Sequence, residues 1–420
     1  MNTPRLVCDA CGLEWPESTP KTRCTCGGLL AVRHDPTLRG DALKASFADA
    51  CCAMPSRTAS GVWRFGSVVQ PLAMAEAVSH PEGNTPLLHR DALDRWSGLH
   101  GMLLKHEGHN PTGSFKDRGM TVAVTQAMRI GARAVACAST GNTSASLAAY
   151  AAQAGLPAVV FVPAGQIALG KMAQALAYGA RTLLVDGDFD ACLRLAEQAG
   201  EELGIYLVNS INPFRLEGQK TIVLEMLQQL GWQAPDWIVL PAGNLGNTAA
   251  FGKALTEAKE WGLIDRLPRL AAVQAEGAAP FASAYARGFD TLVPVAAATI
   301  ATAIRIGAPA SYDRGVRAIR DTNGVVLSVS DKEILEAKAS IDGAGVGCEP
   351  ASAASVAGAR RLRHEGLISP DARVVAVLTG HLLKDPGVVE RMHADPGLIA
   401  KPNRPVSVAA GFDAVRAALA

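Results

Sequence analysis

The sequence predicts an α/β protein with two domains, each built on a mainly parallel sheet flanked by helices, and a small additional module at the amino terminus. Three observations support this prediction. The 420 residues are enough for more than one domain. Short β-rich runs alternate with Ala-rich stretches of helical composition from Gly131 onward, and four cysteines crowd into the first 30 residues.

The strands of the two sheets are predicted from eight apolar runs, each bounded by Gly, Pro, Asp or Ser. The runs are 134–138, 158–162, 182–185, 205–208, 237–240, 270–273, 324–329 and 373–378. Strand, helix and strand repeated in this way indicate parallel sheets with both faces covered. Between residues 278 and 310 the periodicity is weak, so this irregular segment could line a site or merely connect, and we favour a connector.

Composition excludes several classes of function. The 40 Lys and Arg residues balance 39 Asp and Glu residues, giving a net charge of +1, and no basic run suggests a nucleic acid or membrane-surface partner. The most apolar stretch, 156–162, is far shorter than the ~20 residues that span a bilayer. We therefore expect a soluble protein. Without a signal-like segment, and with an odd number of cysteines of which Cys137 and Cys192 lie in apolar patterns typical of reduced thiols, we expect a cytoplasmic one.

Polar loops follow three of the predicted strands, where open α/β sheets bind their ligands. The first runs from Ser139 to Ser144, with Thr140, Asn142 and Thr143 between them. Its five polar side chains exceed the needs of an ordinary helix cap and suit a carboxylate or phosphate. The second is Gly243-Asn244-Leu245-Gly246-Asn247, whose glycines allow backbone N–H groups to approach an anion. The third is Thr379-Gly380.

Lys116 is the candidate residue that organises these loops. It lies in Pro111-Thr112-Gly113-Ser114-Phe115-Lys116-Asp117-Arg118-Gly119-Met120, at the entry to an apolar stretch. There an amine can be partly desolvated, which lowers its pKa. A neutral amine is what a Schiff-base lysine requires.

These segments, in this order, resemble pyridoxal-phosphate enzymes of the β-family, most closely the threonine synthases. The resemblance runs from about Ser60 to about Pro386 and rests most specifically on the ten residues ending in Met120. It also covers 60–65, 83–87, 208–220, 302–307 and 349–353. It implies a tryptophan synthase β-like fold. In that fold residues 131–215 would form a small substrate-binding domain, and 36–130 with 216–420 the large pyridoxal-phosphate domain.

The resemblance also implies roles for individual residues. Lys116 would hold the cofactor covalently and act as catalytic base, Asn142 would contact its phenolic oxygen, and Thr379 would meet its pyridine nitrogen. The cofactor phosphate would be enclosed by Gly243, Asn244, Leu245, Gly246 and Asn247. The substrate carboxylate would lie on the turn containing Ser139, Thr140 and Thr143. The phosphate of O-phosphohomoserine would be bound by Asn209, Ser210 and Arg215, since arginine matches phosphate oxygens in a bidentate fork.

The implied reaction converts O-phospho-L-homoserine and water to L-threonine and phosphate by β,γ-elimination and replacement, in what we expect to be a homodimer. Two alternatives keep the same fold, a cysteate synthase-like β-replacement enzyme and a threonine dehydratase. Arg215 and Asn209 discriminate, because a dehydratase has no substrate phosphate to bind. A non-enzymatic scaffold is a third alternative. Leu245 and Leu382 depart from the family pattern, which commonly has a small residue and a glycine there.

The first 35 residues are interpreted as a zinc-ribbon-like module. Cys8 and Cys11 are followed, after twelve residues, by Cys24 and Cys26, which resembles the ribbon at the start of some threonine synthases. Four thiolates can form a tetrahedral zinc shell and stabilise a module too small for its own core. The second pair is separated by one residue instead of the usual two, so metal-free cysteines stay an alternative.

Overall fold

The computed structural model describes residues 4–52, 59–164 and 169–419. The strands are β1 (Arg5–Cys8), β2 (Glu14–Pro16), β3 (Leu30–Arg33), β4 (Leu87–His89), β5 (Leu103–His106), β6 (Ala134–Ala138), β7 (Ala158–Pro163), β8 (Arg181–Val185), β9 (Ile205–Leu207), β10 (Trp237–Pro241), β11 (Arg269–Ala275), β12 (Val325–Val329) and β13 (Val374–Leu378). All eight predicted runs form strands, with ends that differ by at most two residues.

The helices surround these strands and connect most of them. They are α1 (Gly40–Cys52), α2 (Asp91–Ser97), α3 (Lys116–Arg129), α4 (Asn142–Ala154), α5 (Leu169–Ala177), α6 (Phe189–Leu203), α7 (Pro213–Gln229), α8 (Gly246–Glu260), α9 (Pro280–Ala286), α10 (Tyr312–Asp321), α11 (Asp331–Gly343), α12 (Pro350–His364), α13 (Pro386–Ala394) and α14 (Phe412–Leu419). Among the described residues, no helix is both long enough and apolar enough to cross a membrane.

The strands form three sheets. A six-stranded sheet has the order β12-β11-β10-β13-β5-β4 and is parallel except for its edge strand β4. A four-stranded parallel sheet has the order β8-β7-β6-β9 and is drawn wholly from residues 134–207. The predicted domain boundaries at 131 and 215 stay predictions, but they bracket this second sheet. The third sheet, β2-β1-β3, is antiparallel.

The amino-terminal sheet shares the hydrophobic core of the larger body. Leu6, Leu30 and Val32 are buried in one cluster with Phe47 and Trp63. Since these side chains contribute to a common core, the module gains its stability partly from packing on the rest of the chain.

A cluster of buried charges lies between β5 and α7. Lys105, Arg64 and Arg118 all donate to the carboxylate of Glu225, and Arg118 also donates to Glu107. Burial of a charge is tolerated only with paired, well-directed hydrogen bonds. Because Arg118 is two residues beyond Lys116, the cluster fixes the helix on which that lysine stands.

Candidate active site

Lys116 is placed at the carboxyl end of β13 by a short backbone pairing. Ser114 forms an antiparallel bridge with Gly380, the Phe115 N–H donates to the Thr379 carbonyl at 3.0 Å, and the His381 N–H donates to the Gly113 carbonyl at 2.9 Å. Lys116 then begins α3. Two segments that are far apart in sequence, each predicted to hold a site residue, are thereby joined directly.

The loop before Lys116 is held by Asp117. Its carboxylate accepts from the Thr112 N–H at 2.7 Å and from the Thr112 hydroxyl at 2.6 Å. Gly113 has a φ of +83°, a left-handed conformation that a side chain would strain. These hydrogen bonds and this turn fix the conformation of the loop that leads into Lys116.

The amine of Lys116 lies in a desolvated, positively biased environment. Burial, together with the nearby guanidinium of Arg215, lowers its pKa to about 7, and the carboxyl of Glu349 opposes these effects. The Lys116 Nζ atom is 4.2 Å from the centroid of the Phe115 ring. At neutral pH a substantial fraction of the amine is therefore unprotonated, as attack on an aldehyde requires.

A close helix crossing brings Arg215 towards Lys116. A Cβ on Gly218 of α7 would lie 1.8 Å from the Arg118 carbonyl oxygen, and a Cβ on Gly119 of α3 would lie 2.9 Å from the Arg215 carbonyl oxygen. Only glycine allows the two backbones to approach so closely. The crossing explains why the start of α7 and the start of α3 reach the same site.

The guanidinium of Arg215 is buried and only partly satisfied. Its Nη1 donates to the Val208 carbonyl at 3.1 Å. Among the described residues, Nε and Nη2 have no hydrogen-bond partner, and the residue is 1% exposed. Burial lowers its pKa to about 10. Unpaired buried donors are rare in proteins, so these two indicate an anionic ligand.

The glycine loop after β10 is anchored through Asn244. Its Nδ2 donates to the Ser210 hydroxyl at 2.6 Å and its Oδ1 accepts from the Ala310 N–H at 2.6 Å. Asn244 is thus occupied in holding the loop. Both amide atoms of Asn247 and the hydroxyl of Thr248 are buried without a partner in the described part of the chain. They lie in the first turn of α8, where a helix end attracts an anion.

Part of the irregular segment 278–310 contacts the candidate site. A Cβ on Gly243 would lie 3.0 Å from Cα of Ile304, so the turn around Ile304 packs on the glycine loop. The interpretation of 278–310 as a mere connector is therefore wrong in this stretch. Weak periodicity shows irregular backbone, but it does not show which backbone the segment meets.

Glu349 is a site residue to which the sequence analysis gave no role. The Asn142 Nδ2 donates to its two carboxyl oxygens at 3.0 Å and 3.3 Å, and the Thr379 hydroxyl donates to it at 3.3 Å. Asn142 and Thr379 therefore meet on one buried carboxyl, whose charge also acts on Lys116. Its position within a segment that matches the family pattern was the available signal.

The turn after β6 is partly self-satisfied. The Ser139 hydroxyl accepts from the Gly141 N–H at 3.2 Å, while Thr140 and Thr143 are half-buried around the start of α4. Asn209 uses both polar side-chain atoms on the backbone of Ala138, at 3.0 Å and 3.1 Å. In this conformation Asn209 ties β9 to β6, so contact with a ligand phosphate would require a different set of hydrogen bonds.

The two departures from the family pattern have structural explanations. Leu245 has a φ of +62° yet its side chain is buried against Gly315, so packing offsets a strain of about 1–2 kcal/mol. Leu382 begins a short 3₁₀ helix, Leu382–Lys384, and packs against Gly347. Leu382 is not in the left-handed region, so the local turn tolerates a side chain.

The four amino-terminal cysteines converge. Their sulfur atoms all lie within 4.8 Å of one another, including Cys8 to Cys26 at 3.5 Å and Cys11 to Cys24 at 3.7 Å. Zinc–sulfur bonds of about 2.3 Å in a tetrahedron place sulfurs about 3.8 Å apart. The closer spacing of the second pair therefore does not prevent a four-sulfur shell, and the residues fit a zinc ion.

The site also fits pyridoxal phosphate. A lysine with a pKa near 7 suits the aldehyde, the unpartnered polar atoms at the start of α8 suit the phosphate, and the unpartnered atoms of Arg215 suit a second anion nearby. This donor set is what two phosphates and one aldehyde require.

Comparison with known proteins agrees with this geometry. Residues 78–380 match the family described as pyridoxal-phosphate dependent enzyme. The chain is 45% identical to a threonine synthase of Methanosarcina acetivorans over 99% of this chain and 98% of the relative. It is 50% identical to a threonine synthase of Synechocystis over 73% and 78% of the two chains.

Solved structures support the fold. Maize serine racemase superposes with a TM-score of 0.63 at 21% identity, covering 83% of this chain and 96% of that one. The processed form of threonine deaminase isoform 2 from Solanum lycopersicum gives 0.64 at 20% identity, covering 85% and 95%. The expected architecture of parallel sheets flanked by helices is thereby confirmed.

Proposed function

The chain belongs to the pyridoxal-phosphate-dependent enzymes and, within them, to the threonine synthases, and from this membership we propose which residues carry its reaction. The enzyme is a lyase that acts on O-phospho-L-homoserine and water to give L-threonine and phosphate. The observation that carries the proposal is that the desolvated Lys116 amine lies near the guanidinium of Arg215 on a neighbouring helix, and that two nitrogens of this guanidinium have no hydrogen-bond partner among the described residues.

Lys116 acts as the base and acid of the reaction. Bound pyridoxal phosphate supplies an electron sink for the negative charge left when a proton leaves a substrate carbon. The neutral Lys116 amine takes the proton from Cα, and the same amine can move protons between adjacent carbons because it lies on a rigid helix start. A second proton leaves Cβ and phosphate leaves from Cγ. Cγ is then protonated, the hydroxyl of water adds at Cβ, and Cα is protonated again. The three protons released by Cα, Cβ and water are taken up by Cγ, Cα and the departing phosphate, so the reaction balances.

Separate groups bind the two phosphates and the carboxylate. Gly243, Gly246 and Asn247 enclose the cofactor phosphate, with Asn244 holding the loop and Leu245 closing it. Arg215 and Ser210 bind the substrate phosphate. The substrate carboxylate takes the start of α4, at Ser139, Thr140 and Thr143. Asn142 contacts the phenolic oxygen of the cofactor and Thr379 its ring nitrogen. Arg215 is supported best, since two of its donors are buried and unpaired among the described residues.

The four cysteines of the amino-terminal module hold a structural zinc ion in this proposal. Gly28 supports it, because a Cβ there would lie 2.7 Å from the Cys8 sulfur. Asp9, the residue after Cys8, pairs with Arg314 and Arg317 of α10. The ion would thus stabilise the docking of the module. Metal analysis of the purified protein should give one zinc per chain, lost on Cys24→Ser.

We also propose a cytoplasmic homodimer. None of the nine cysteines, all of which lie among the described residues, forms a disulfide, a pattern typical of a reducing compartment. The edge strand β8 exposes Leu183 and Leu184, an apolar surface of the kind that a second copy covers. Light scattering coupled to gel filtration should give twice the chain mass.

Substrate comparison tests the proposed function. Phosphate release is measured with O-phosphohomoserine and with phosphoserine plus sulfite. Threonine formation is measured with O-phosphohomoserine, and ammonia release with threonine as substrate. We expect turnover with O-phosphohomoserine. Preferred turnover of phosphoserine would instead identify a cysteate synthase-like enzyme, and ammonia release from threonine without use of O-phosphohomoserine would identify a dehydratase.

A further inference from the structure

The carboxyl of Glu349 occupies a place that the backbone leaves open for it. Glu349 immediately precedes α12 and is 4% exposed. A Cβ on Gly380 would lie 2.4 Å from its Oε1 atom. Glycine at 380 therefore admits the carboxyl to the end of β13, directly beside Thr379.

This one carboxyl contacts two side chains to which the proposed function gives cofactor contacts. Asn142 donates to it at 3.0 Å and 3.3 Å, and Thr379 at 3.3 Å. Among the described residues, Glu349 is the carboxyl whose charge acts on Lys116. It thus touches the residues proposed for the phenolic oxygen and for the ring nitrogen, and faces the reactive amine.

The Thr379 hydroxyl has a single proton and several possible acceptors. Its oxygen is 3.0 Å from the Ser352 hydroxyl, which accepts the Gly380 N–H at 2.9 Å. If Glu349 is ionised, Thr379 donates to the carboxylate and offers a bound ring nitrogen only a lone pair. If Glu349 is neutral, its O–H donates to Thr379, and the Thr379 proton is available to the ring nitrogen.

The surroundings of Glu349 favour the neutral acid. Burial raises its pKa, against the hydrogen bond from Asn142 and the charges of Lys384 and Lys116. Lys384 also faces Asp117, and the adjacent Cys348 is buried with a raised pKa of its own. The Lys384 cation is therefore partly engaged elsewhere, and burial favours the neutral form of the Glu349 carboxyl more than in an exposed glutamic acid.

We propose that Glu349 is a positioning residue whose ionisation sets the direction of the Thr379 hydroxyl, and so decides whether the cofactor ring nitrogen receives a hydrogen bond. The inference deepens the proposed function and rests on it. The neutral state supplies a donor to an unprotonated ring, and the ionised state withdraws that donor. Glu349 thereby tunes the ring as an electron sink without touching the substrate.

Nitrogen NMR of the bound cofactor tests this inference. The protein is loaded with pyridoxal phosphate labelled with ¹⁵N in the ring, and the ring shift is followed from about pH 5 to about pH 10, a range above the ordinary pKa of a glutamic acid. We expect a pH-dependent shift in the wild type. In Glu349→Gln, whose amide donates at every pH, the shift should stay at the low-pH wild-type value.

A second pair of variants guards against an unstable Glu349→Gln protein. Thr379→Val removes the relaying hydroxyl and should abolish the pH-dependent shift, whereas Thr379→Ser keeps the hydroxyl and should retain it. Cofactor affinity should fall by less than about tenfold in Glu349→Gln, the effect of one changed hydrogen bond. A merely structural role for Glu349 would not remove a titration of the ring.

Two results would overturn the inference: a pH-independent ring shift in the wild type, or an unchanged titration in Glu349→Gln. Failure of the proposed function is recognised separately. If the wild type binds the cofactor and releases phosphate from O-phosphohomoserine, only the role of Glu349 is at stake. If it does neither, the proposed function itself has failed.

Discussion

Replacing Glu225 by glutamine should strongly destabilise the protein. The Glu225 carboxylate accepts from Lys105 at 2.6 Å, from Arg118 at 2.8 Å and from Arg64 at 2.9 Å, and from two backbone N–H groups. These side chains are almost completely buried. In the wild type, three cations face two carboxylates, Glu225 and Glu107. In Glu225→Gln they face one.

The expected loss is about 3–5 kcal/mol in the free energy of unfolding, the usual effect of removing one partner from a buried ion pair. Urea unfolding of the cofactor-free protein, followed by tryptophan fluorescence, measures it. The control is Glu14→Gln, which breaks the exposed pair with Arg5 and should cost at most about 1 kcal/mol. Equal midpoints for Glu225→Gln and Glu14→Gln would refute the reasoning.

The stability lost in Glu225→Gln should depend on pH and should be smaller in acid. Burial by itself would raise the pKa of Glu225, but the three cations outweigh it and hold that pKa well below its ordinary value of 4.5. A carboxyl with a depressed folded-state pKa contributes stability that is fully present above the unfolded value and is lost as the pH falls. The difference between wild type and Glu225→Gln should therefore be largest above pH 4.5 and should shrink in acid.

Four further predictions concern the site and its supports. Attachment of the cofactor, followed by absorbance, should increase as the pH rises through about 7, because Lys116 loses its proton there. In Arg215→Gln this pH profile should move to higher pH, because the cation that lowers the pKa of Lys116 is lost. KM for O-phosphohomoserine should also rise about tenfold or more. An unmoved profile together with an unchanged KM would contradict the assignment of Arg215 to the substrate phosphate. Gly218→Ala should lower the free energy of unfolding by about 1–3 kcal/mol or more, because the added Cβ would meet the Arg118 carbonyl. Urea unfolding measures the loss, and the control is Gly343→Ala, where an added Cβ meets open space. Removing zinc with a chelator, or by Cys24→Ser, should lower the thermal midpoint while the cofactor band persists; identical melting with and without chelator would count against a structural ion.

The strands that the sequence predicts well are those with continuous apolar runs. Most of β6 to β13 is buried between helices, so this burial is visible in local composition. β5 was not predicted because it contains Lys105 and His106, both buried. The carboxylate that neutralises Lys105 belongs to Glu225, which lies 120 residues away in the sequence. A long-range ion pair of this kind leaves no local signal.

The site shows the same division between local and long-range information. The motif around Lys116 and the glycine loop identify cofactor-binding segments because both are contiguous in sequence. The engagement of Asn209 with Ala138 depends on how β9 lies beside β6. The contact of Glu349 with Asn142 and Thr379 depends on three separate segments. Such contacts require the folded structure.

The most direct measurement of the central claim is chemical trapping of the cofactor on Lys116. The protein is incubated with pyridoxal phosphate, reduced with borohydride, digested and examined by mass spectrometry, with Lys116→Ala treated in parallel. We predict that the added mass falls on the peptide containing Lys116 and that the variant carries no stable adduct. A colourless protein without an adduct, or an adduct on another lysine that supports turnover, would contradict the account.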